Sequence, residues 1–311
     1  MIANNIAKRS RVFDTPERHI SYCHSNREVV EMPDNIHVPS FDAGKLAKEL
    51  SNVEVDLEEE KKGDVKTARM EYVQDKLGEM RISFDDTYYK DGYLPDSFAT
   101  YVPFISDFSK PVTLYVAPTN TVQMDRDNIG DRLSGIVMGL ALAAQLKESN
   151  EYRNVIVLFV NQHNLEHASY LIEDLIQTKV FKTSVSEVIE LGYFVGKSPI
   201  IESYFDSTGY HLFNKLIDKA GLYDPGVAGS GGLHRYMNDL RYDAANFESY
   251  ATEEEQEHMT KEDEEKIFSV EHQVKFCTSQ AFVTLYRILY QQAILISSYY
   301  RDNELDTDFK H

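Results

Sequence analysis

The stretch from Asp127 to Ile172 constrains the fold more than any other part of the chain. It reads DNIGDRLSGIVMGLALAAQL, then a polar turn, then NVIVLFVNQHNLEHASYLI. Asp127, Gly130 and Asp131 precede a small-residue helical segment, as acidic residues do at the positive end of a helix. From Gly135 to Leu146 that segment is apolar on nearly every face, so it belongs in the interior, against a sheet. The second half opens with a continuous apolar run, Val155–Val160, followed at once by polar residues and a second helical pattern. A buried helix feeding an all-apolar strand implies a parallel or mixed sheet covered on both faces. Such sheets place their sites at the tip after the strand, here Asn161, Gln162, His163, Asn164, Leu165, Glu166 and His167.

Composition narrows the class. A chain of 311 residues, 42% hydrophobic with 16 Phe and 20 Tyr, can fill a core, which excludes disorder throughout. Its 51 acidic residues against 32 basic ones give a net charge of −19, a field that repels nucleic acid and anionic membrane. Cys23 and Cys277 make neither a disulfide framework nor a cysteine zinc site, which favours a reducing interior. Residues 1–19 lack the apolar core of a signal peptide, and no apolar run reaches the roughly 18 residues of a membrane span. A soluble, cytoplasmic protein is the expectation, with no direct nucleic-acid partner.

Residues 1–40, polar and carrying Pro16, Pro33 and Pro39, read as an extended arm. Its basic cluster Lys8, Arg9 and Arg11, with Phe13, stands out in so acidic a chain and is the candidate contact for a protein partner. A short helix fits 41–52, and Asp56–Lys62 reads as a solvated linker, so residues 1–62 form arm and linker and 63–305 an α/β domain. Helical spacing returns at Val65, Ala68, Met70, Val73 and Leu77. Strands are expected at 81–84, 100–105, 112–116, 155–160, 185–191 and 199–203. Helices are expected at 131–148, 210–221 and from Leu233 onward, with one long helix over 272–300. Residues 253–266 are strongly acidic and read as a mobile loop or exposed helix. The alternation argues for a three-layer α/β/α domain on a mostly parallel mixed sheet. The strands at 112–116, 155–160 and 185–191 share that sheet, and helices 131–148 and 272–300 lie on its faces.

In order, strand Val112–Val116, the turn ending in Asp131, the pair Ser134–Gly135, the apolar helix, and strand Val155–Val160 leading to Ala168-Ser169 resemble the co-catalytic zinc aminopeptidase family. The resemblance runs over residues 80–300. It implies that Asp131 stands where that family's Asp bridges two zinc ions. The family's His-x-Asp falls in Ala117-Pro118-Thr119, and its Glu-Glu pair on Gln162 and His163. Its later Asp falls near Gly192, with Glu190 on the strand just before, and its final His is matched by His234 in GGLHRY. A zinc pair needs about five N/O ligands and a base. The resemblance therefore points to a degenerate branch, like the aminopeptidase-like subunit of the glycosylphosphatidylinositol transamidase. That implies no catalytic residues, no cofactor, and a partner-binding factor or subunit of a larger assembly. A transamidase-type subunit would further associate with the endoplasmic reticulum.

Local motifs offer other readings. His163-Asn164-Leu165-Glu166-His167 fits the inverted zinc-protease pattern, in which two His at i and i+4 hold one metal and the Glu is the base. With Asp131 it gives an active zinc metallopeptidase as the alternative. The bland reading of the same residues is a polar helix start capped by Asn161 or Asn164. Gly226–Gly232 (GVAGSGG) lacks the Lys-Ser/Thr of a phosphate loop and reads as a flexible turn. Ser134 lacks the G-x-S-x-G elbow of a nucleophile and reads as a close-packing residue. Tyr88, Tyr89, Tyr93 and Tyr101 read as half-buried sheet residues or a protein-contact surface rather than a base-stacking platform.

Overall fold

The computed structural model describes residues 41–54, 67–89, 97–119, 123–125, 128–129, 132–161, 165–203, 207–222 and 232–303. Along the chain run α1 (Ala43–Ser51), α2 (Ala68–Glu79), β1 (Asp85–Tyr89), β2 (Ser97–Ile105), β3 (Val112–Pro118), β4 (Gln123–Asp125) and β5 (Asn128–Ile129). Then come α3 (Leu133–Glu148), β6 (Asn154–Asn161), α4 (Leu165–Gln177), β7 (Val185–Phe194), β8 (Ser198–Ser203), α5 (Thr208–Lys219), α6 (Leu233–Asp239) and β9 (Ala244–Tyr250). The described chain closes with α7 (Glu253–His258), α8 (Lys261–Ile267), α9 (Val270–Cys277) and α10 (Gln280–Asp302).

Seven strands make one sheet in the order β1-β2-β6-β3-β7-β9-β8. Its centre, β6-β3-β7-β9, is parallel, and the outer joins β1–β2, β2–β6 and β8–β9 are antiparallel. The three apolar strands expected to share a sheet lie side by side as β6, β3 and β7. Their side chains alternate between two cores, which is why no polar position breaks the run Val155–Val160 of β6. Tyr115, Ala117, Val155, Val157 and Phe159 point into the larger core with α1, α2, α3, α5 and α10. Val112, Leu114, Val116, Ile156, Leu158 and Val160 face α4 and α6 on the other side. The result is the three-layer α/β/α arrangement.

Helix α3 is the pivot, buried along nearly its whole length. Its small residues let backbones meet. A Cβ on Gly135 would stand 2.7 Å from the carbonyl oxygen of Gly192 and 2.8 Å from that of Leu191, so only glycine fits there. No side chain caps the helix from its own N-cap, Arg132. The remote Gln273 on α9 does that work instead. Its Oε1 accepts from the Ser134 amide (2.9 Å) and hydroxyl (2.8 Å), while the Ser134 oxygen accepts from Phe194 N–H at 2.9 Å. Ser134 is therefore a splice between α3, β7 and α9, in line with its packing reading.

Four helices end alike. After α2, α4, α5 and α6 a residue of positive φ lets the next amide reach back to a carbonyl inside the helix: Ile82 to Leu77, Val180 to Leu175, Leu222 to Ile217 and Tyr242 to Met237. Glycine occupies the turn position after α5 (Gly221, φ 67°), but Arg81 (56°), Lys179 (56°) and Arg241 (68°) occupy the others. A side chain with a Cβ is strained there. Arg81→Gly and Lys179→Gly, at exposed positions, are each expected to stabilise the protein by about 0.5–1 kcal/mol in chemical denaturation. A loss of stability in both variants would refute this account.

Several boundaries differ from the sequence reading. Residues 81–84 turn and extend rather than pair, and the strand is β1, Asp85–Tyr89. The long C-terminal helix is two, α9 and α10, because the Ser279 hydroxyl accepts from Phe282 N–H and starts a new helix after Cys277. Strand β9 lies where helix was extended from Leu233. The acidic stretch folds as α7 and α8, each opened by a capping box, Thr252 with Glu255 and Thr260 with Asp263. Ile267 and Phe268 after them close a small third core over Tyr193, Val195, Ile200 and Tyr250. Among the described residues no helix is long and apolar enough to cross a membrane.

Candidate active site at the carboxyl ends of the parallel strands

Alternation along β7 sends Val188 and Glu190 to the face covered by α6. Glu190, in the second half of β7, pairs in register with Val116 of β3 and Asn246 of β9. Two further carboxylates share its face through the registers Glu202↔Asn246 and Ile200↔Glu248. Arg132, just before α3, and His234, in the first turn of α6, close the cluster from above.

The geometry is that of a compact ion network. Glu190 Oε1 accepts from Arg132 Nη1 at 2.6 Å, and Oε2 accepts from both the backbone amide and Nδ1 of His234 at 3.1 Å. His234 Nε2 lies 3.6 Å from Glu202 Oε2, an ion-pair distance, and Glu202 Oε1 accepts from Arg235 Nη2 at 2.9 Å. The Arg132 guanidinium also lies 5.1 Å over the Tyr193 ring. Arg132 is 4% exposed, Glu190 and His234 0% and Glu248 1%. Two glycines make the room. A Cβ on Gly232 would meet Glu190 Oε2 at 2.2 Å, and one on Gly192 would meet Glu248 Oε2 at 2.6 Å.

Burial and charge pull these groups apart in proton affinity. Burial alone would raise Glu190, but the Arg132 guanidinium and His234 overcome it and hold the carboxyl well below the usual range. Burial opposes the charge on His234, yet hydrogen bonds to Glu190 and Glu202 push the imidazole up to about 9, so it is a cation at neutral pH. Glu202 is lowered in spite of burial by His234 and Arg235. Burial pushes Glu248 up to about 7, against a hydrogen bond with Asn246 and the charge of His234.

On the opposite face of the same strand stands a second buried carboxyl. Glu187 accepts from Gly209 N–H at 2.8 and 3.0 Å, from the Ser207 hydroxyl at 3.2 Å and from the Tyr300 hydroxyl at 3.0 Å. Burial pushes it up to about 7, against the Gly209 amide and Tyr300. It joins β7 to α5 and α10 and is separate from the cluster around Glu190.

The structure divides the expected site residues. Asp131, Gln162, His163 and Asn164 lie outside the described residues, as do the side chains of Glu166 and His167 on α4. Lys8, Arg9, Arg11, Phe13, the linker at 56–62 and Gly226 through Gly231 also lie outside them, as do the side chains of Tyr88, Tyr89 and Tyr93. Ala117 sits in the larger core, and the buried Thr119 hydroxyl donates to the Val160 carbonyl at 3.1 Å. Tyr101 packs edge-on to Phe181 at 5.5 Å, a sheet residue. Of the positions matched by resemblance, Glu190 and His234 come together. Arg132, Glu202 and Glu248 went unsuspected, although the lone Glu inside AANFESY is a signal of a buried carboxylate.

The described residues do not fit a zinc pair. Among them no group of three or more His, Cys, Asp or Glu is arranged to hold a metal ion. The oxygens of Glu190 and the ring of His234 are already committed to each other, to Arg132 and to Glu202.

No protein-family model matches the sequence, and no curated protein matches it. Solved structures do match. The Fimbriiglobus ruber glutaminyl cyclase is similar with a TM-score of 0.58 at 12% identity, over 85% of this chain and 98% of that one. The LapA aminopeptidase of Legionella pneumophila is similar with a TM-score of 0.53 at 15% identity, over 81% and 71%. The Porphyromonas gingivalis glutaminyl cyclase follows with 0.51 at 13%, over 80% and 96%. The fold is that of these aminopeptidases and glutaminyl cyclases. The aminopeptidase-like fold read from the sequence thus stands. The expectation that the chain is no enzyme is corrected: the solved structures that share its fold are enzymes, and nothing in the described cluster speaks for an inactive state.

Proposed function

We propose that the chain is an enzyme acting at the amino-terminal end of a peptide, with its chemistry centred on Arg132, Glu190, His234, Glu202 and Glu248. The observation that supports this reading is the gathering of these five ionisable groups toward the carboxyl ends of the parallel strands, where α/β folds bind their ligands. Chemistry on an N-terminal residue needs a carboxylate for the α-ammonium, fixed positive charge where a carbonyl oxygen gains electrons, and a proton-transfer group poised near neutrality. Glu202 supplies the first, and Arg132 with His234 the second. Glu248, pushed up to about 7 by its burial, supplies the third. Glu190 holds both cations in place and is a positioning residue. The solved structures of the same fold act, by their names, as aminopeptidases and glutaminyl cyclases, which is consistent with such a substrate.

The test is a panel of fluorogenic aminoacyl and glutaminyl peptides given to the full chain. Turnover of at least one is expected, reduced by about a hundredfold or more in Glu248→Gln, the usual contribution of a general acid or base. A folded wild-type protein that turns over none of them, or a Glu248→Gln variant as active as wild type, would remove the reading.

A further inference from the structure

We infer that this centre works without a bound metal ion, the Arg132 guanidinium and the His234 imidazolium supplying the positive charge that a metal would otherwise bring. The inference rests on the reading of the cluster as the active centre. It follows from how the donors are occupied. Both oxygens of Glu190 are engaged by Arg132 and His234, at 2.6 and 3.1 Å, and both ring nitrogens of His234 face carboxylates, at 3.1 and 3.6 Å. A metal ion would have to displace these partners before either residue could coordinate it.

Charge balance argues the same way. Arg132, His234 and Arg235 bring three positive charges against the carboxylates of Glu190 and Glu202, and Glu248, raised to about 7, is only partly ionised near neutrality, so the cluster carries no negative charge in excess. A dication entering a largely buried set with no negative charge in excess would carry its own charge uncompensated, which is unfavourable in a medium of low polarity. Removing Arg132 eases both conditions. It frees one Glu190 oxygen and takes one positive charge out of the cluster.

The experiment loads the full chain with zinc in about tenfold excess, dialyses it, and counts metal by mass spectrometry beside Arg132→Lys and Arg132→Met, with the melting temperature of each measured with and without zinc. Wild type and Arg132→Lys are expected to retain far less than one zinc per chain and to melt unchanged. Arg132→Met is expected to bind zinc at least about tenfold more tightly than wild type. About one or two zinc ions per wild-type chain surviving dialysis, whichever residues hold them, would overturn the inference, as would Arg132→Met binding no tighter. The wild-type count decides the matter even if Arg132→Met does not fold. Metal retention is read without turnover, so the two failures are told apart: silence on the peptide panel removes the peptide reading, and retained zinc removes the metal-free inference alone.

Discussion

Glu190→Ala is expected to destabilise the protein by about 3–5 kcal/mol, the range for breaking a buried ion pair by deleting one partner. Against a typical folding free energy of about 5–15 kcal/mol, that brings the chain close to unfolding. The magnitude comes from what is left behind rather than from what is removed. Arg132 and His234, almost wholly out of water, would lose the carboxylate that receives three of their hydrogen bonds. His234 would shed its proton, since its charge depends on Glu190 and Glu202 together. Arg132 has no such escape at any working pH. The double variant Arg132→Met/Glu190→Gln removes the two main charges together and should recover more than half of the loss. Urea denaturation of the single and double variants measures both statements. A loss below about 1 kcal/mol for Glu190→Ala would mean that water reaches the cluster and that the pair is worth no more than an exposed one.

The second large effect is on pH. Glu187 and Glu248 both hold their protons up to about 7 when folded, against an ordinary value of 4.5. Between those limits the folded chain binds more protons than the unfolded one, so stability falls as pH rises and levels off above about 7. Each carboxyl contributes up to about 3 kcal/mol to that fall. His234 adds to the same trend, because its raised value gives stability that is whole below 6.5 and lost as pH climbs through about 9. Glu190 and Glu202 are lowered, so their contribution is present above 4.5 and disappears in acid. Stability should therefore peak near pH 5 and decline toward pH 8. The overall charge of −19 pushes in the same direction by self-repulsion, so the variants separate the causes. Glu187→Gln and Glu248→Gln should each flatten the curve between pH 5 and 8. A wild-type protein more stable at pH 8 than at pH 5, or an unchanged slope in both variants, would refute the assignment.

The framework of the fold was legible because apolar runs leave little choice. The run from Val155 to Val160 has nothing to offer water, and a helix like Gly135–Leu146 has almost no polar side. Strand β9 was not legible. AANFESY has no β-branched residue and carries Asn, Glu and Ser, all buried, with Asn246 and Glu248 on the face of the ion cluster. The break between α9 and α10 was hidden because Phe276 and Phe282 keep helical spacing across Ser279, and the capping hydroxyl is easily read as one more polar position. Within the cluster, Glu190 and His234 could be suspected from the resemblance. Arg132 and Glu202 could not, since their partners are 58 residues away for Arg132 and 33 away for Glu202, and nothing local marks them.

The bonds that tie α9 and α10 to the rest of the molecule also govern how the chain reaches this state. Tyr115 donates to Gln292 across 177 residues, Asn154 to Ser297 across 143, and Ser134 to Gln273 across 139. Contacts of such reach form slowly, because most of the chain must be in place before they reward the search. During synthesis, the face of β3 and β6 that carries Tyr115, Val155, Val157 and Phe159 therefore waits, incompletely covered, for the last long helix to arrive. That interval is when apolar strands of neighbouring chains can find one another, a hazard the finished fold no longer carries.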